Sequence, residues 1–192
     1  MAQNGTWCNM SYLIKRTSLT EYGVMKVGTG LSVTDGVVTA TLGLLNYGFF
    51  TDGTQNNSAA NAINIATYSN ATPVNGVSVV GGNAITVDNA GIYTMMFTVL
   101  VGKTSGGTDT VSFWLRYNDT DIPLSAQDIK LTNTLAQVFA SGNFTLNMAA
   151  GSNIKLCWSS PDRTVALTAL PARVAPIRPT GASTKITLTR IS

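Results

Sequence analysis

The sequence contains no histidine, and this absence removes most of the residue combinations that perform catalysis. Without histidine there is no Ser-His or Cys-His nucleophile pair, no histidine general base and no histidine metal ligand. Glutamate is nearly absent too, because Glu21 is the single one. A glycosidase needs two carboxylates about 5 to 9.5 Å apart, and only aspartates such as Asp119 and Asp121, on a predicted turn, remain to supply them. We therefore expect that the protein is not an enzyme and uses no cofactor.

Charge is also scarce. Charged residues make up 11% of the chain, less than half the usual share of a soluble domain. The 12 Lys and Arg residues outnumber nine acids and give a net charge of +3, but they form no basic cluster, so we expect no nucleic-acid partner. A surface of hydroxyls and amides suits a protein that packs against copies of itself or against a scaffold, because each buried charge there would need a partner.

Long apolar runs and a leader peptide are missing as well. No uncharged apolar run approaches the roughly 18 residues that span a membrane, and residues 1–5 are polar without a basic start. We therefore expect that the protein is synthesised in a cytoplasm and does not insert into a membrane. Cysteine is limited to Cys8 and Cys157, and the apolar neighbours of Cys157 favour a buried thiol over a disulfide.

Few residues remain that could bind an ion. Two cysteines cannot make a zinc site without further ligands, and Gly102-Lys103-Thr104 imitates the end of a P-loop without its first glycine or following helix. A calcium site built on Asp52, Asp88, or Asp119 with Asp121 stays open as an alternative. The favoured interpretation of these aspartates is turn chemistry, in which Asp bonds its own backbone. The sequence thus predicts no metal site.

What the chain does contain is a succession of β-strands. Residues 90–101 contain the longest apolar run, which starts from Gly91 and is closed by Gly102, and we interpret it as a central strand buried on both faces. Shorter strands separated by turn residues follow it, and no helical stretch interrupts them. Residues 74–80 and 84–87 flank Gly81-Gly82-Asn83, a hairpin-type turn, and residues 62–68 alternate like a half-buried strand. This pattern predicts an all-β sandwich.

The first 42 residues form a separate segment, and residues 43–192 form the main domain. Within residues 1–42, Asp35-Gly36 separates two stretches in which apolar and polar residues alternate, and this is a strong hairpin signal. A hairpin with a few strand fragments cannot bury a core of its own. Its exposed apolar residues therefore have to pack against another surface, which is the main domain, a symmetry mate or a different protein. The candidates for this docking are Trp7, Tyr12, Leu13 and Tyr22.

Several motifs in the main domain carry a family resemblance. They are Gly91-Ile92-Tyr93 at the start of a long strand, an aromatic strand that ends in 116–121, residues 144–146 leading into 150–156, and a final amphipathic strand. Over residues 44–192 the chain resembles the jelly-roll module shared by C1q heads and tumour-necrosis-factor (TNF)-like trimers. Residues 186–191 replace the closing strand of the animal C1q pattern, and the module looks more like the versions found on bacteriophage virion proteins.

The resemblance implies a two-sheet, ten-stranded jelly roll that forms a homotrimer through one apolar sheet face. Candidates for that interface are the aromatic residues Tyr47, Phe49, Trp114 and Trp158, since Tyr and Trp are enriched at interface centres. The alternative is that each of them fills the core of its own subunit. In the proline-punctuated stretch 160–179, Arg163, Arg173 and Arg178 are candidates for presentation to a partner, and the alternative there is a solvated loop.

Two functions follow from this resemblance. The first is a trimeric capsid decoration protein, located on the virion, whose residues 1–42 anchor it to other virion proteins, chiefly the major capsid protein. The second is a tail-fibre or receptor-binding protein whose jelly roll grips a host surface glycan or protein. The sequence shows no repeat or heptad that would form a fibre shaft, which favours the first.

Overall fold

The computed structural model describes residues 31–34, 37–40 and 45–192, which belong to two units, 1–43 and 44–192. In the first unit, strands β1 (Leu31–Thr34) and β2 (Val37–Ala40) pair antiparallel, with Thr34 opposite Val37. This pairing confirms the hairpin predicted around Asp35-Gly36. The two turn residues lie outside the described residues, as do Cys8 and the docking candidates Trp7, Tyr12, Leu13 and Tyr22.

The second unit consists of antiparallel strands joined by turns and loops. Its described residues include no helix, and so none that could cross a membrane. The strands are β3 (Tyr47–Asp52), β4 (Gln55–Asn56), β5 (Asn64–Ile65), β6 (Asn70–Asn75), β7 (Val77–Val80), β8 (Ala84–Val87), β9 (Gly91–Lys103), β10 (Asp109–Tyr117), β11 (Thr120–Asp121), β12 (Gln127–Leu131), β13 (Gln137–Met148), β14 (Asn153–Ser159), β15 (Val165–Leu167), β16 (Arg173–Val174), β17 (Ile177–Arg178) and β18 (Thr184–Arg190).

Two large sheets contain most of these strands. Sheet I is built on β9, which pairs with β13 along one edge and with β18, then β15, along the other. Beyond β18 come β3 and β6, and β4 extends the sheet beside β15. Sheet II runs β7-β8-β14-β10, with β11 and β12 on the far edge of β10 and the short β5 beside β14.

The core lies between the two sheets because alternate side chains of each strand face inward. Phe97 of sheet I and Phe113 of sheet II meet there, with ring centroids 6.4 Å apart. Other fully buried side chains from both sheets include Phe50, Tyr93, Met95, Leu115, Ile154, Leu156, Ile186 and Leu188. Each large apolar side chain buried in this way contributes roughly 1.5 to 3 kcal/mol.

Burial corrects the expectation for the longest strand. Tyr93, Met95 and Phe97 are buried, but Ile92 and Met96, on the opposite face of β9, are exposed. The first half of β9 is therefore a half-buried strand, and its apolar run combines one core row with one outward row. From Val99 to Lys103 the strand is buried throughout.

Two strand predictions need smaller corrections. The stretch 74–80 is not one strand, because Gly76, with φ +63°, turns the chain between β6 and β7. Of residues 62–68, only Asn64–Ile65 pair as a strand. The hairpin around Gly81-Gly82-Asn83 is confirmed, since Val80 pairs with Ala84 across it.

Candidate assembly surface

The outward face of sheet I carries almost no charge. Strand alternation and burial define its positions on β13, β9, β18 and β3. Register then places neighbouring outward side chains in rows across these strands. Lys185 is the only charged residue among these positions, which are Gln137, Phe139, Ser141, Asn143, Thr145, Asn147, Ile92, Thr94, Met96, Thr98, Lys185, Thr187, Thr189, Tyr47, Phe49 and Thr51.

Large apolar side chains are exposed on this face. Thr187 of β18 pairs with Phe49 on one side and with Met96 on the other, so the three residues form one row. Met96 is 56% exposed and Phe49 is 38% exposed. Phe139 on β13 is also exposed, at 62%. Threonine, serine and asparagine fill the positions between them, so dehydrating this face removes few charges from water.

The outward face of sheet II has the opposite character. Arg116 Nε lies 2.8 Å from Asp121 Oδ1, and Lys155 Nζ lies 2.5 Å from Asp119 Oδ1. Ser112 donates a hydrogen bond of 2.6 Å to Asp128. The hydrogen bond from Arg116 lowers the pKa of Asp121, and that from Lys155 lowers the pKa of Asp119. A face with solvated ion pairs of this kind is compatible with water.

The four predicted interface residues lie in three different places. Tyr47 and Phe49 lie together on the outward face of sheet I. Trp114 lies on the outward face of sheet II, where its indole N–H donates to Asp121 Oδ1 at 2.8 Å. Trp158 is buried in the core between the sheets, which is the alternative to an interface position. Trp158 points inward because it follows the register of Ile154 and Leu156 along β14.

Sequence reasoning missed Met96 and Phe139 as surface residues. Met96 lies in an apolar run, and in such a run the alternation of buried and exposed positions cannot be recognised from the sequence. In β13, however, apolar residues alternate with Ser141, Asn143 and Thr145, and this alternation is a readable signal of a half-buried strand. Phe139 occupies the outward register of those polar residues.

The proline-punctuated stretch contains a hairpin that projects its side chains. Leu170 and Gly181 exchange two backbone hydrogen bonds of 2.8 Å, and the chain between them, residues 170–181, is here named the arm. Within the arm, β16 and β17 place Arg173 opposite Arg178. The other pair consists of Val174 and Ile177, which are 90% and 89% exposed.

The three predicted arginines are therefore not one cluster. Arg173 and Arg178 are cross-strand neighbours in the arm, and Arg178 Nε donates to the carbonyl of Pro171 at 3.3 Å. Arg163 is exposed on the separate loop between β14 and β15. The arm thus has two consecutive cross-strand pairs, one basic and one apolar.

Three of the aspartates considered for calcium, Asp52, Asp119 and Asp121, are engaged in hydrogen bonds or ion pairs. Asp52 accepts hydrogen bonds from Thr67, from Ser69 at 2.7 Å and from the N–H of Gly53 at 2.7 Å. Burial opposes ionisation of Asp52, but these hydrogen bonds outweigh it and lower its pKa. Among the described residues, no three His, Cys, Asp or Glu side chains are grouped so that they could hold a metal ion.

Cys157 is a buried free thiol. Burial raises its pKa to about 11, so it remains protonated and unreactive at neutral pH.

Comparisons with known proteins support the fold only. No family model matches the sequence, and no curated protein matches it. Among solved structures, murine APRIL is similar with a TM-score of 0.52 and 11% identity, over 77% of this chain and 99% of that one. Eiger TNF from S. frugiperda has a TM-score of 0.45 and 11% identity, over 78% and 94%. The predicted fold class, an all-β TNF-like jelly roll, is confirmed.

Proposed function

We propose that this protein is a structural virion protein, a homotrimer that decorates the capsid surface. The jelly roll of residues 43–192 assembles through the outward face of sheet I, and residues 1–42 dock onto the shell. The observation that carries the proposal is the contrast between the two outward faces of the sandwich. One has a single charged side chain, Lys185, around exposed Phe49, Met96 and Phe139, and the other is lined with ion pairs.

The energetics favour burial of the sheet I face. Transfer of apolar area from water is worth roughly 25 cal/mol per Å², and hydroxyl and amide side chains can pair across an interface without a large desolvation cost. Lys185 is the exception, and its long aliphatic stem allows the ammonium to reach the rim of an interface. The outward face of sheet II would have to dehydrate Arg116, Asp121, Lys155 and Asp119, which is expensive.

The virion location is supported by the sequence. The main domain resembles the phage type of C1q and TNF-like module, and the composition suits a protein that packs against copies or a scaffold. The first 42 residues form an apolar-rich segment that needs a cover, with Trp7, Tyr12, Leu13 and Tyr22 as the docking candidates. The partner of this segment in the proposal is the major capsid protein.

The oligomeric state is the first measurement. Light scattering on the full chain after size exclusion should give three times the monomer mass, and a monomer that persists at high concentration would refute assembly. Immunogold labelling of particles should then place the protein over the head shell. Label confined to the tail tip would refute the capsid role while leaving the trimer intact.

The arm favours a second candidate, a receptor-binding head on a tail fibre. Exposed Val174 and Ile177 and the paired Arg173 and Arg178 project from the sandwich in a form suited to contact with a host glycan or protein. A trimer that binds a glycan array, and loses binding when Arg173 and Arg178 are both replaced by Ser, would support this candidate. The matched control is the Arg163→Ser variant, because Arg163 is exposed outside the arm.

A further inference from the structure

The most unusual charged residue of the described chain is Lys103, the last residue of β9. Its side chain is 0% exposed, although lysine is almost never fully buried without a partner. It follows Val99 and Val101 on the inward face of β9, and it pairs with Val165 of β15. The ammonium therefore lies at one end of the core between the two sheets.

Two carboxylates and a carbonyl surround this ammonium. Nζ contacts Oδ2 of Asp109 directly and donates to the carbonyl of Gly107 at 2.5 Å. Oδ2 of Asp162 lies 3.7 Å from Nζ. The side chains of Asp109 and Asp162 are only 14% and 23% exposed.

Apolar residues enclose the same site. Val101 and Val165 flank Lys103 in sheet I, and Val111 and Leu131 flank Asp109 in sheet II, the latter through the pairing of β10 with β12. All four are fully buried. An ion pair placed among such residues loses much of its hydration, and this loss costs free energy.

We propose that Lys103 and Asp109 join in an amide bond between Nζ and the side-chain carbon Cγ of Asp109. The lysine gives up a proton, its neutral nitrogen attacks Cγ, and the bond from Cγ to one carboxylate oxygen breaks. That oxygen leaves as water with two protons from the former ammonium, and the amide nitrogen keeps the third. One ammonium and one carboxylate become one amide and one water, so charge and atoms balance and no oxidant or further reactant is needed.

Asp162 is the group placed to move the protons. Its Oδ2 faces Nζ, and its Oδ1 accepts a hydrogen bond of 2.8 Å from the N–H of Thr164, which fixes the carboxylate. That hydrogen bond lowers the pKa of Asp162, so the carboxylate holds a proton only in transit between Nζ and the departing oxygen. Gly106 permits the approach, because a Cβ on it would lie 2.8 Å from Oδ2 of Asp162.

The consequence is a covalent link between the two sheets at one end of the sandwich. Lys103 belongs to sheet I and Asp109 to sheet II, and the described residues contain no disulfide that would do this. The amide also replaces a buried ion pair by a neutral group, which removes the cost of keeping two charges in the core. This inference is independent of the oligomeric state and of the virion role.

Trypsin mapping of the denatured wild-type protein tests the proposal. Trypsin cleaves after Lys103 only if its amine is free, and the neighbouring sites are Lys26 and Arg116. The amide predicts one species that spans 27–116 with the mass of one water missing. Two separate peptides, 27–103 and 104–116, would overturn the proposal. A succinimide at Asp52-Gly53 also loses water, but it leaves the cut after Lys103 intact and would count against the amide.

Variants and an internal control sharpen the result. The Lys103→Arg and Asp109→Ala variants should each have the full mass calculated from their own sequence, with no water missing, because neither can form the amide. Lys155 and Asp119 are an ion pair on the outward face of sheet II with Asp119 70% exposed, and trypsin should still cleave after Lys155. The Asp162→Asn variant should accumulate mostly unlinked chain, and full linkage in it would refute the role of Asp162. If the variants fail to fold, the wild-type peptide map alone decides.

Discussion

Met96 and Val80 are exposed almost equally, at 56% and 57%, yet the first belongs to sheet I and the second to sheet II. Met96 lies in the outward row with Thr187 and Phe49, whereas Val80 ends β7 at the edge of the other sheet. A charge placed at either position would be hydrated equally well in an isolated subunit. The proposed assembly through sheet I would make the two positions different.

We predict that Met96→Glu dissociates the proposed trimer and that Val80→Glu does not. Each subunit of the variant would bring a carboxylate into the interface, and burial of an unpaired charge costs several kcal/mol. Light scattering should report a monomer for Met96→Glu with unchanged circular dichroism, and a trimer for Val80→Glu. If both variants remain trimers, assembly uses another surface.

Gly142→Ala should destabilise the jelly roll. Gly142 of β13 lies opposite Phe97, and an added Cβ would meet the Phe97 ring at 2.5 Å and the Phe144 ring at 2.9 Å. These two rings are stacked, with centroids 6.2 Å apart and an interplanar angle of 9°, so neither can move away freely. Overpacking of this kind costs about 1 to 3 kcal/mol, measurable by denaturant unfolding. Gly53→Ala is the control, since nothing lies within 4 Å of its added Cβ, and an equal loss there would contradict the packing argument.

Asn64→Ala should destabilise the same domain by leaving buried polar groups without partners. Asn64 Oδ1 accepts from the N–H of Ser58 at 3.0 Å, and its Nδ2 donates to Asn57 Oδ1 at 2.8 Å. Loss of such buried bonds costs about 1 to 3 kcal/mol. Asn56→Ala, at an exposed position of β4, should change the free energy of unfolding by less than about 0.5 kcal/mol. Equal effects of the two substitutions would show that burial of Asn64 is not the cause.

Asp121→Asn should reduce the sensitivity of the protein to acid. Hydrogen bonds from Arg116 and Trp114 place the pKa of Asp121 below its ordinary value of 3.8. Because the folded-state pKa is the lower one, the stabilisation is complete above the ordinary pKa and is lost as pH falls through the folded-state value. The variant should therefore be less stable than wild type near neutral pH, with a shallower fall in Tm below about pH 4. Asp88→Asn, at an exposed aspartate outside this ion-paired face, is the control, and identical pH profiles for wild type and Asp121→Asn would refute the argument.

The position of most strands could be predicted from the sequence, but the exposure of their faces could not. Gly81-Gly82-Asn83 between two β-branched stretches was enough to locate a hairpin. By contrast, Asn64 is buried while its neighbour Ile63 is 52% exposed, the reverse of what polarity suggests. Asn64 can be buried because Asn57 and Ser58 satisfy its amide, and these partners become known only when the chain is folded.

The sequence by itself determined the all-β class, the antiparallel hairpins and the shortage of catalytic groups. Those features depend on residue type, turn chemistry and local periodicity, which are properties of short stretches. Only the tertiary structure decided that Trp158 fills the core while Phe49 and Met96 share an outward face, and that Lys103 meets Asp109 and Asp162. The physical reason is that burial and charge contact depend on sheet register and on which two sheets pack together, and these relations join residues far apart in the chain.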